Sequence, residues 1–541
     1  LHPDLRQLED PRALSGMAAA VARLRRAVEC RERVHVFSDF DVDGLTSAAL
    51  WTAALNGLGL PVRALLPDRL ADGFGLTVAA IETVRAAGGR LLVTADCGTC
   101  AHLAAARARE LGIDLIVADH HMPDGPLPEV CALVNPRLPR ERYPFPELAA
   151  VGVVYKILQA LVEDLERGGA GRNGAGPAGL GGTGALDAHL DLVALGTVAD
   201  VVPLRGENRL FTRFGIERMR AAPRPAVRAL AESAGLEVEL LEAADLAFKL
   251  APRLNAPGRL GAPDRSLALL LAADAEEARR RAEEVEADNR ERRSHHERVL
   301  EEARRLIEDG PRRDPARPIV LGSANWHPGV LGIVAARLAD RYRVPVLLVS
   351  LQGAVARGSA RTPDRFDLLK LMATVSEHLD TFGGHRQAAG LSLRPERFAA
   401  VQEALESHDL IATSAADPPG LRVDGRLEPE AVDLELARQL DRLSPFGAGN
   451  AEPIFVGRAF SRDVRVEQGR HLRFRAGRGR GAADCVGFGL GPRAEEIPAS
   501  GARIEMAYTP SINRHRGEER LQLKLRDFRL SEAGGGGTLA G

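Results

Sequence analysis

Acidic and imidazole side chains recur in this chain directly after short apolar runs, where they could bind divalent cations. Six carboxylates and two histidines share this placement: Asp39, Asp41, Asp43, Asp96, Asp119, His120, His121 and Asp200. A single Asp in such a place is most often a helix cap. A cluster of this size would repel itself unless cations neutralised it, and carboxylate-rich sites with some imidazole suit Mn²⁺ or Mg²⁺. Two such ions, about 3.5–4 Å apart, can activate a water at a phosphoryl centre.

The apolar runs that precede these residues predict buried β-strands. The runs are Val34–Phe37, Val62–Leu66, Leu91–Thr94 and Leu115–Ala118, and helix-like stretches separate them at Gly44–Leu58, Leu76–Ala87 and Ala101–Leu111. Strands that are apolar on both faces and alternate with helices are typical of a parallel α/β sheet, whose ligands bind beyond the carboxyl ends of the strands. An extended Asp39-Phe40-Asp41-Val42-Asp43 would point its three carboxylates to one side. Asp200 follows a further apolar run that begins at Leu195.

The rest of the chain predicts four further regions. Residues 168–184 are nearly all Gly and Ala and predict a flexible insertion, and residues 274–308 predict a long charged helix that links two domains. A second α/β pattern runs from Ile319 to about residue 400, and alternating strands from about 420 to 530 predict a small β-barrel. We predict a catalytic domain at 1–215, a helical region with the connecting helix at 216–310, an α/β domain at 311–415, a barrel at 416–530 and a disordered tail at 531–541.

Composition limits the class of protein. The chain has 541 residues, of which 45% are hydrophobic and 27% charged, which excludes a disordered or fibrous protein. No apolar stretch reaches the roughly 18 residues of a membrane helix, and the first one carries Arg23, Arg25 and Arg26, unlike a secretory signal. Five cysteines, with one Cys-x-x-Cys at Cys97 and Cys100, predict a reduced cytoplasmic protein without a zinc site. The net charge of −2 neither requires nor excludes a nucleic-acid partner.

The Asp and His segments resemble the motifs of the DHH phosphoesterase superfamily, and the chain resembles the RecJ exonucleases within it. The first four DHH motifs correspond to Asp39–Gly44, Asp96–Gly98, Asp119–His121 and Gly196–Asp200. The order continues through Arg253–Arg259, Trp326–Val330, Gly358–Arg361, Gly383–Gly390 and Ser444–Asn450. Ser38 and Phe40 stand where Gly and Tyr are common, and neither change removes a ligand. The resemblance implies a parallel-sheet DHH domain and a DHH-associated α/β domain joined by a long helix, followed by an OB-like β-barrel.

The resemblance also assigns roles to residues of the cluster. It implies that two ions, Mn²⁺ or Mg²⁺, bind to Asp41, Asp43, Asp96, His120 and Asp200, with Asp96 as the bridge. Asp39 is either a further ligand or a neighbour of the ligands. His121 is expected to contact the scissile phosphate or to donate a proton.

A second set of residues is predicted to hold single-stranded DNA. The resemblance places Arg69 at the 5′ end and Phe74 against a base, and stacking of this kind tolerates any sequence. Ser359 and Arg361, which follow a predicted strand and a Gly, suit a terminal phosphate pocket. The remaining predicted DNA contacts are Arg253, Asn255, Arg259, His327, Gly384 and His385, and in the barrel Arg473, Phe474 and Arg475. The alternatives are an ion pair between domains for Arg259, a core position for His385 and a solvated surface for the barrel arginines.

The leading hypothesis is a single-stranded-DNA-specific exonuclease that works 5′ to 3′ and releases 5′-mononucleotides in DNA repair and recombination. The first alternative is a DHH phosphodiesterase on short oligoribonucleotides or cyclic dinucleotides, which would not need the barrel. The second is an inactive single-stranded-DNA-binding scaffold, although such a protein would be expected to lose metal ligands. The resemblance implies single-stranded DNA as the partner, with a helicase and a single-strand-binding protein as further expectations. We predict a monomer, and the absence of heptads argues against a coiled-coil dimer.

Overall fold

The computed structural model of the chain describes residues 2–67, 75–168, 183–310, 317–408, 420–478, 482–498, 501–515 and 518–531. Arg69 and Phe74, two of the predicted DNA contacts, lie outside the described residues, as do most of the Gly-rich insertion and of the C-terminal tail. The described part has the predicted mixed α/β architecture, with a parallel sheet, a second α/β sheet and a closed barrel.

The first sheet has five parallel strands in the order β2-β1-β3-β4-β5. Its strands are β1 (Val34–Ser38), β2 (Val62–Leu65), β3 (Leu91–Ala95), β4 (Asp114–Ala118) and β5 (Ala132–Val134), and its helices are α1 (Met17–Cys30), α2 (Val42–Gly57), α3 (Val78–Ala86), α4 (His102–Glu110) and α5 (Ala150–Arg167). Every residue of β1 and β3 is buried, as expected for strands covered on both faces. Since β1, β3 and β4 are neighbours, their carboxyl ends meet at one edge of the sheet.

A helical region follows the sheet. Its helices are α6 (Thr183–Leu186), α7 (Leu190–Ala199), α8 (Gly206–Ala221), α9 (Pro225–Ser233), α10 (Ala243–Asp245), α11 (Ala251–Arg259), α12 (Asp264–Leu270) and α13 (Ala275–Glu308). The apolar run before Asp200 is therefore a helix, α7, which is buried from Leu190 to Val198. A short run that is apolar on every side cannot be identified as strand or helix from periodicity alone.

Helix α13 joins two hydrophobic cores. It has 34 residues, which corresponds to about 51 Å, and Asp274 caps its first turn by accepting from the amides of Glu276 and Glu277. Its first half contributes Val285 to the core of the first sheet, and its second half contributes Val299 to the core of the next domain. The predicted long connecting helix is confirmed.

The second sheet is mixed, with the order β6-β7-β8-β10-β9. Its strands are β6 (Ile319–Ser323), β7 (Val346–Ser350), β8 (Ala356–Arg361), β9 (Thr381–His385) and β10 (Ala388–Leu393), and its helices are α14 (Leu331–Tyr342), α15 (Leu368–Ala373) and α16 (Phe398–Ser407). Only β6 and β7 are parallel; β7–β8, β8–β10 and β10–β9 are antiparallel. Ser359 and Arg361 lie inside β8 and do not follow a strand as predicted.

The C-terminal region is a closed barrel. It contains α17 (Leu434–Asp441) and the strands β11 (Gly425–Arg426), β12 (Phe455–Glu467), β13 (His471–Ala476), β14 (Ala483–Gly487), β15 (Ala502–His515) and β16 (Glu518–Leu530). Pairing of β12 with β15 closes the sheet on itself. The predicted barrel is confirmed, but β12, β15 and β16 are longer than the short strands expected. Register shifts at Arg462/Arg465 in β12 and at Ala507/Tyr508 in β15 interrupt the alternating pattern from which strand length was predicted. Among the described residues, no helix has the length and apolar character needed to cross a membrane.

Candidate functional site

The loop after β1 contains the first two carboxylates, Asp39 and Asp41. The Asp39 amide donates to the Ala95 carbonyl at 3.3 Å, so the loop runs against the end of β3. Asp41 is the N-cap of α2, and its Oδ1 accepts from the Gly44 amide at 3.2 Å. The helix begins at Val42, so Asp39 to Asp43 is not extended throughout as the sequence predicted, and Asp41 is the residue that caps it.

Asp43 is buried in the first turn of α2 and is bound by the start of α5. Its carboxylate accepts from the amides of Ala150 at 2.7 Å and Val151 at 2.9 Å, while the residue is only 1% exposed. The first amides of a helix have no partner within the helix and favour a nearby negative charge. The N-terminus of α5 therefore fixes the orientation of this carboxylate.

Two glycines allow the backbone to approach closely at this place. A Cβ on Gly44 would lie against the Asp39 carbonyl, so this turn requires Gly. A Cβ on Gly196 would lie against Thr46 of α2, so α7 can pack directly on α2. That packing brings Asp200, the C-cap of α7, to the edge where the strands end.

Asp96 lies at the centre of the group. It follows β3 with a positive φ of 59°, and its amide donates to the Ala118 carbonyl at 3.1 Å. The residue is 3% exposed, and its Oδ1 lies 3.2 Å from His120 Nε2 and 3.8 Å from His121 Nδ1. His120 also faces Asp43 at 4.0 Å and, through Nδ1, Asp200 at 3.7 Å. We call Asp39, Asp41, Asp43, Asp96, His120, His121 and Asp200 the acidic cup.

Asp119 is adjacent to the cup and orients His121. It accepts from the amides of Thr99, His120 and His121 at 2.9, 2.8 and 3.2 Å, and from His121 Nδ1 at 2.8 Å. Asn135 Nδ2 donates to the His121 carbonyl at 2.8 Å. The sequence predicts Asp119 as a member of the acidic cluster but assigns it no role of its own, and nothing in the sequence pointed to Asn135.

These contacts give the two histidines opposite charge states. Burial opposes ionisation of Asp119, yet the hydrogen bonds from His121 and Thr99 hold its pKa at about 2. Burial also opposes protonation of His121, but its hydrogen bond and ion pair with Asp119 raise its pKa to about 8. Burial and the neighbouring charge on His121 lower the pKa of His120 to about 4. His120 is therefore neutral near pH 7, the form that binds metals, whereas His121 is charged.

The carboxylates of the cup disfavour one another's charge. Burial, followed by the charge on Asp41, raises the pKa of Asp43 to about 7. Burial, Asp43 and Asp41 raise the pKa of Asp200 to about 8, and burial together with four neighbouring carboxylates raises the pKa of Asp96 well above its ordinary value. The protein therefore places several carboxylates together whose ionised forms the fold alone does not neutralise.

The donor set fits divalent cations. Among the described residues, three groups have ligand atoms within 4.8 Å of one another: Asp96, His120 and His121; Asp43, His120 and Asp200; and Asp39, Asp41 and Asp96. Asp96 Oδ1, His120 Nδ1 and Asp200 Oδ2 are buried and have no hydrogen-bond partner in the part of the chain that the structure describes. Buried acceptors without donors are costly, and a cation coordinated by them would remove that cost.

A possible anion site lies at the start of α14. A Cβ on Gly332 would lie 2.9 Å from Arg361 Nη2 and 3.0 Å from Ser359 Oγ, so both side chains face the first turn of this 12-residue helix. Arg361 Nη1 also donates to Ser359 Oγ at 3.1 Å. Guanidinium, hydroxyl and helix amides are all donors to phosphate.

Arg259 lies between this region and the cup. Its Nη1 donates to the Gly329 carbonyl at 3.4 Å, just before α14, and a Cβ on the preceding Gly258 would lie 3.0 Å from the carbonyl oxygen of Phe40 in the loop after β1. The end of α11 thus contacts both domains. Asn255, also predicted as a DNA contact, is half-buried on the same helix.

Three other predicted DNA contacts, His327, Gly384 and His385, lie in the second α/β domain. His327 caps the short turn before α14 by accepting from the Gly329 amide at 3.1 Å, and its ring centroid lies 4.9 Å from that of His295 on α13. Gly384 has a φ of 144° and packs across the β9–β10 pair, so its lack of a side chain serves the strand pairing. His385 is exposed on β9 and is not the core histidine that was the alternative.

Two predicted DNA contacts are wrong. Arg253 is 7% exposed, and its Nε lies 2.7 Å from Glu286 on α13, so the side chain joins two helices. Phe474 is 2% exposed and packs in the barrel core, because residues of β13 alternate between the inside and the outside. Its neighbours Arg473 and Arg475 do face outward, with Arg473 paired to Glu467 at 2.6 Å and Arg475 Nη2 donating to the Ala482 carbonyl at 2.6 Å.

An aromatic ring that the sequence did not single out is exposed on the barrel. Phe488 is 63% exposed just after β14, and its ring packs edge-on against His471, with centroids 5.4 Å apart. His471 is itself held by the Gly489 amide, which donates to its Nδ1 at 3.1 Å. A supported and exposed ring beside outward arginines is suited to stacking on a base.

The sequence matches three families along its length: "DHH family, N-terminal domain" over residues 33–197, "DHHA1 domain" over 317–408 and "RecJ OB domain" over 423–527. It is 34% identical to the single-stranded-DNA-specific exonuclease RecJ of Bacillus subtilis, over 98% of this chain and 66% of that protein. It is 37% identical to the Escherichia coli exonuclease of the same name, over 94% of this chain and 89% of that protein. The fold is similar to the crystal structure of RecJ in complex with Mn²⁺ from Thermus thermophilus, with a TM-score of 0.77, 30% identity and coverage of 97% of this chain and 73% of that chain.

We expect Mn²⁺ to stabilise the protein more at about pH 8.5 than at about pH 6. The pKa values of Asp43 and Asp200, about 7 and 8, are raised by folding, so the metal-free fold loses stability as the pH rises through that range. At low pH Mn²⁺ must displace protons, whereas at high pH it binds ionised carboxylates and relieves their repulsion. The measurement is the rise in melting temperature on adding MnCl₂, on the order of a few degrees at the higher pH. A rise that is equal or larger at the lower pH would contradict the assignment.

Proposed function

Since the chain belongs to the RecJ family of single-stranded-DNA-specific exonucleases, we propose that it hydrolyses single-stranded DNA from the 5′ end and releases 5′-mononucleotides, using two divalent ions in the acidic cup. The observation that carries the proposal is the convergence of Asp39, Asp41, Asp43, Asp96 and Asp200 with His120 at one sheet edge. There, Asp96 Oδ1 and Asp200 Oδ2 are buried and have no donor among the described residues. The barrel argues against a tiny substrate, for which it would be superfluous. The complete donor set argues against an inactive scaffold.

In the proposed reaction, each group of the cup has a separate task. Asp43, His120 and Asp200 would hold one ion. Asp39, Asp41 and Asp96 would hold the other. Asp96 lies 3.2 Å from His120, so its carboxylate is near both groups. Two ions bound there would lower the pKa of a water and stabilise the charge on the leaving oxygen. The chain keeps these side chains in place through the N-terminus of α5, which binds Asp43, and through α7, which delivers Asp200.

His121 is suited to act on the phosphate. Asp119 keeps it protonated near pH 7, because the pKa of His121 is about 8. A cation at this position can donate a hydrogen bond to a phosphate oxygen, or a proton to the 3′-oxygen that leaves with the released nucleotide. Cleavage of that P–O3′ bond leaves the phosphate on the shortened strand, which then has a 5′-phosphate end.

The proposed DNA path uses the second domain and the barrel. Arg361 and Ser359 of β8, which face the start of α14, would bind the 5′-phosphate end. Arg259 would contact the DNA backbone between this pocket and the cup. On the barrel, Arg473 and Arg475 would bind phosphates, and Phe488 replaces Phe474 as the base-stacking ring. His327, Gly384 and His385 remain predicted contacts, as do Arg69 and Phe74 outside the described residues.

The cellular setting is part of the proposal. A helicase or another end-processing enzyme would supply the single strand, and a single-strand-binding protein would keep it unpaired, since the cup acts on one strand. We propose that the protein acts as a monomer in the cytoplasm, in DNA repair and recombination. Five cysteines in 541 residues, two of them buried thiols, agree with a reducing compartment.

Asp96→Ala should abolish cleavage and leave DNA binding in place. The substitution removes a carboxylate that would hold the ions, so we expect more than about a hundredfold loss of nuclease activity with Mn²⁺. Cleavage is followed on single-stranded and duplex DNA carrying the same label, and binding is measured without added metal. Wild-type protein that degraded the duplex in preference to the single strand would contradict the proposed substrate.

Arg361→Met should remove the preference for a phosphorylated 5′ end. A terminal phosphate carries more charge than an internal one, and Met keeps the length of the side chain without its donors. We expect the ratio of initial rates on strands with 5′-phosphate and 5′-hydroxyl ends to fall towards one. Arg341→Met is the matched control, since Arg341 is exposed at the opposite end of α14. Equal ratios in wild type and Arg361→Met would argue against the pocket.

Phe488→Ala should weaken the binding of long single strands. Loss of one stacked base costs about 1–3 kcal/mol, which corresponds to a dissociation constant about 5 to 150 times larger. Leu530→Ala serves as the control because Leu530 is an exposed apolar residue at the far end of β16. Fluorescence anisotropy of a labelled single strand measures both variants. Equal affinity of Phe488→Ala and Leu530→Ala would exclude Phe488 as a stacking residue.

A further inference from the structure

The loop from Ser444 to Asn450, which leads into the barrel, has a well-defined structure of its own. The Gly447 amide donates to the Asn450 carbonyl at 3.0 Å, and the Asn450 amide donates back to Gly447 at 3.1 Å. Asn450 Nδ2 donates to the carbonyls of Leu443 and Pro445 at 3.0 and 2.8 Å. These bonds make the loop a rigid turn. The proposed reaction assigns it no role.

This rigid turn packs against the segment that follows Asp200. The Leu204 amide donates to the Ala448 carbonyl at 2.7 Å. A Cβ on Gly449, which has a φ of 67°, would lie 2.7 Å from Pro203 Cβ. The contact is therefore close enough to exclude any side chain at Gly449, and it begins only three residues after a cup carboxylate.

Arg209 connects the same segment to the start of the loop. It lies in the first turn of α8, and its guanidinium donates to three successive carbonyls, those of Arg442, Leu443 and Ser444, at 2.9, 3.3 and 3.0 Å. Together with the Leu204–Ala448 bond, these contacts connect residues 203–209 to the loop at both ends of the segment.

The segment also contacts the backbone just before α5, the helix whose first amides orient another cup residue, Asp43. Asn208 Nδ2 donates to the Glu147 carbonyl at 2.6 Å, and Arg205 pairs with the Glu147 side chain at 2.6 Å. Leu148, the next residue, is fully buried in the core of the first sheet. Two residues further on, the first amides of α5 bind Asp43.

The backbone next to Asp200 needs such support. Val201 has a φ of 61°, which is unfavourable for a β-branched residue, and its side chain is 70% exposed, so its own packing does not hold it there. Strained backbone persists only when its surroundings determine it. The contacts of Pro203 and Leu204 with the loop supply that constraint.

We propose that the Ser444–Asn450 loop is a positioning element for the group Asp43, His120 and Asp200, so that the affinity of this group for its ion depends on a contact made by the barrel side of the chain. The inference rests on the proposed assignment of these three residues as metal ligands. Arg209 and Gly449 are positioning residues, since they act on the cup through residues 203–209 and Glu147. In the other group, Asp41 accepts from the Gly44 amide and the Asp96 amide donates to the Ala118 carbonyl, and neither of these bonds involves this segment.

The test is a Mn²⁺ titration of the full chain, with isothermal calorimetry and electron paramagnetic resonance of free Mn²⁺ as readouts that do not depend on cleavage. Gly449→Ala adds a methyl group at the Pro203 contact, and Arg209→Met removes three donors. We expect one of two Mn²⁺ sites to weaken about tenfold in each variant, as is usual when residues that orient ligands are lost. Single-strand affinity without metal should stay unchanged.

Matched controls separate this effect from general damage. Gly235→Ala imposes the same backbone cost at a φ of 68°, with nothing described within 4 Å of the added methyl group. Arg213→Met makes the same change one turn further along α8, where Arg213 pairs with Glu217 at 3.0 Å. Both controls should bind Mn²⁺ as the wild type does. If Gly449→Ala does not fold, Arg209→Met, which introduces no clash, decides the question.

Asp200→Asn distinguishes the two ways in which the idea can fail. Weaker Mn²⁺ binding in Asp200→Asn, together with wild-type binding in both Gly449→Ala and Arg209→Met, would overturn the positioning role and leave the metal assignment intact. Unchanged binding in Asp200→Asn would overturn the metal assignment and the positioning role with it. Weakening of both Mn²⁺ sites in Gly235→Ala as well would show a general loss of structure and would also overturn it.

Discussion

The repulsion among buried carboxylates at the end of the first sheet is the constraint on which the rest of the molecule depends. Five Asp side chains and two His rings share a space in which ligand atoms of each group lie within 4.8 Å of one another. A fold that only had to be stable would not place Asp43, Asp96 and Asp200 together, because burial raises the pKa of all three and the charge on Asp43 raises the pKa of the other two further. Bound cations would remove this repulsion. The free energy that the repulsion costs in folding is therefore regained when metal binds.

The carboxylates at this sheet edge differ in whether backbone amides bind them. Asp119 and Asp43 receive backbone amides, which fix their orientation and compensate their charge. Asp96 and Asp200 each retain a buried oxygen without a donor among the described residues. The compensated carboxylates hold the geometry, and the uncompensated ones provide the attraction for metal. The same division separates the histidines, because the pKa of His121 is raised by Asp119 whereas burial keeps His120 neutral.

Much of this could be predicted from the sequence, because parallel sheets make strand ends converge. The strands before Asp39, Asp96 and Asp119 were predicted within a residue or two, and their order in the chain implied that the acidic residues would meet. Asp200 was assigned to the cup, but its apolar run is a helix, since a run buried on all sides has no period that identifies it. Phe474 could have been excluded, because Leu472, Phe474 and Ala476 alternate with arginines and so form the inner face of a strand. Asn135 and the loop contacts of Pro203 could not be predicted, since they depend on tertiary packing of residues far apart in sequence.

In the proposed function, the choice of a strand end follows from charge. An internal phosphodiester carries one negative charge, whereas a terminal phosphate carries about −1.5 to −2 near pH 7. The guanidinium of Arg361 and the hydroxyl of Ser359 face the first turn of α14, so a phosphate bound there would meet several donors. Such a site favours the more highly charged terminal phosphate over an internal one. The outward arginines of the barrel are spread along β13 and would bind any phosphate equally. The barrel would then hold the strand without regard to position while the pocket selects its 5′ end, and because cleavage leaves a new 5′-phosphate, each product would be recognised by the same pocket.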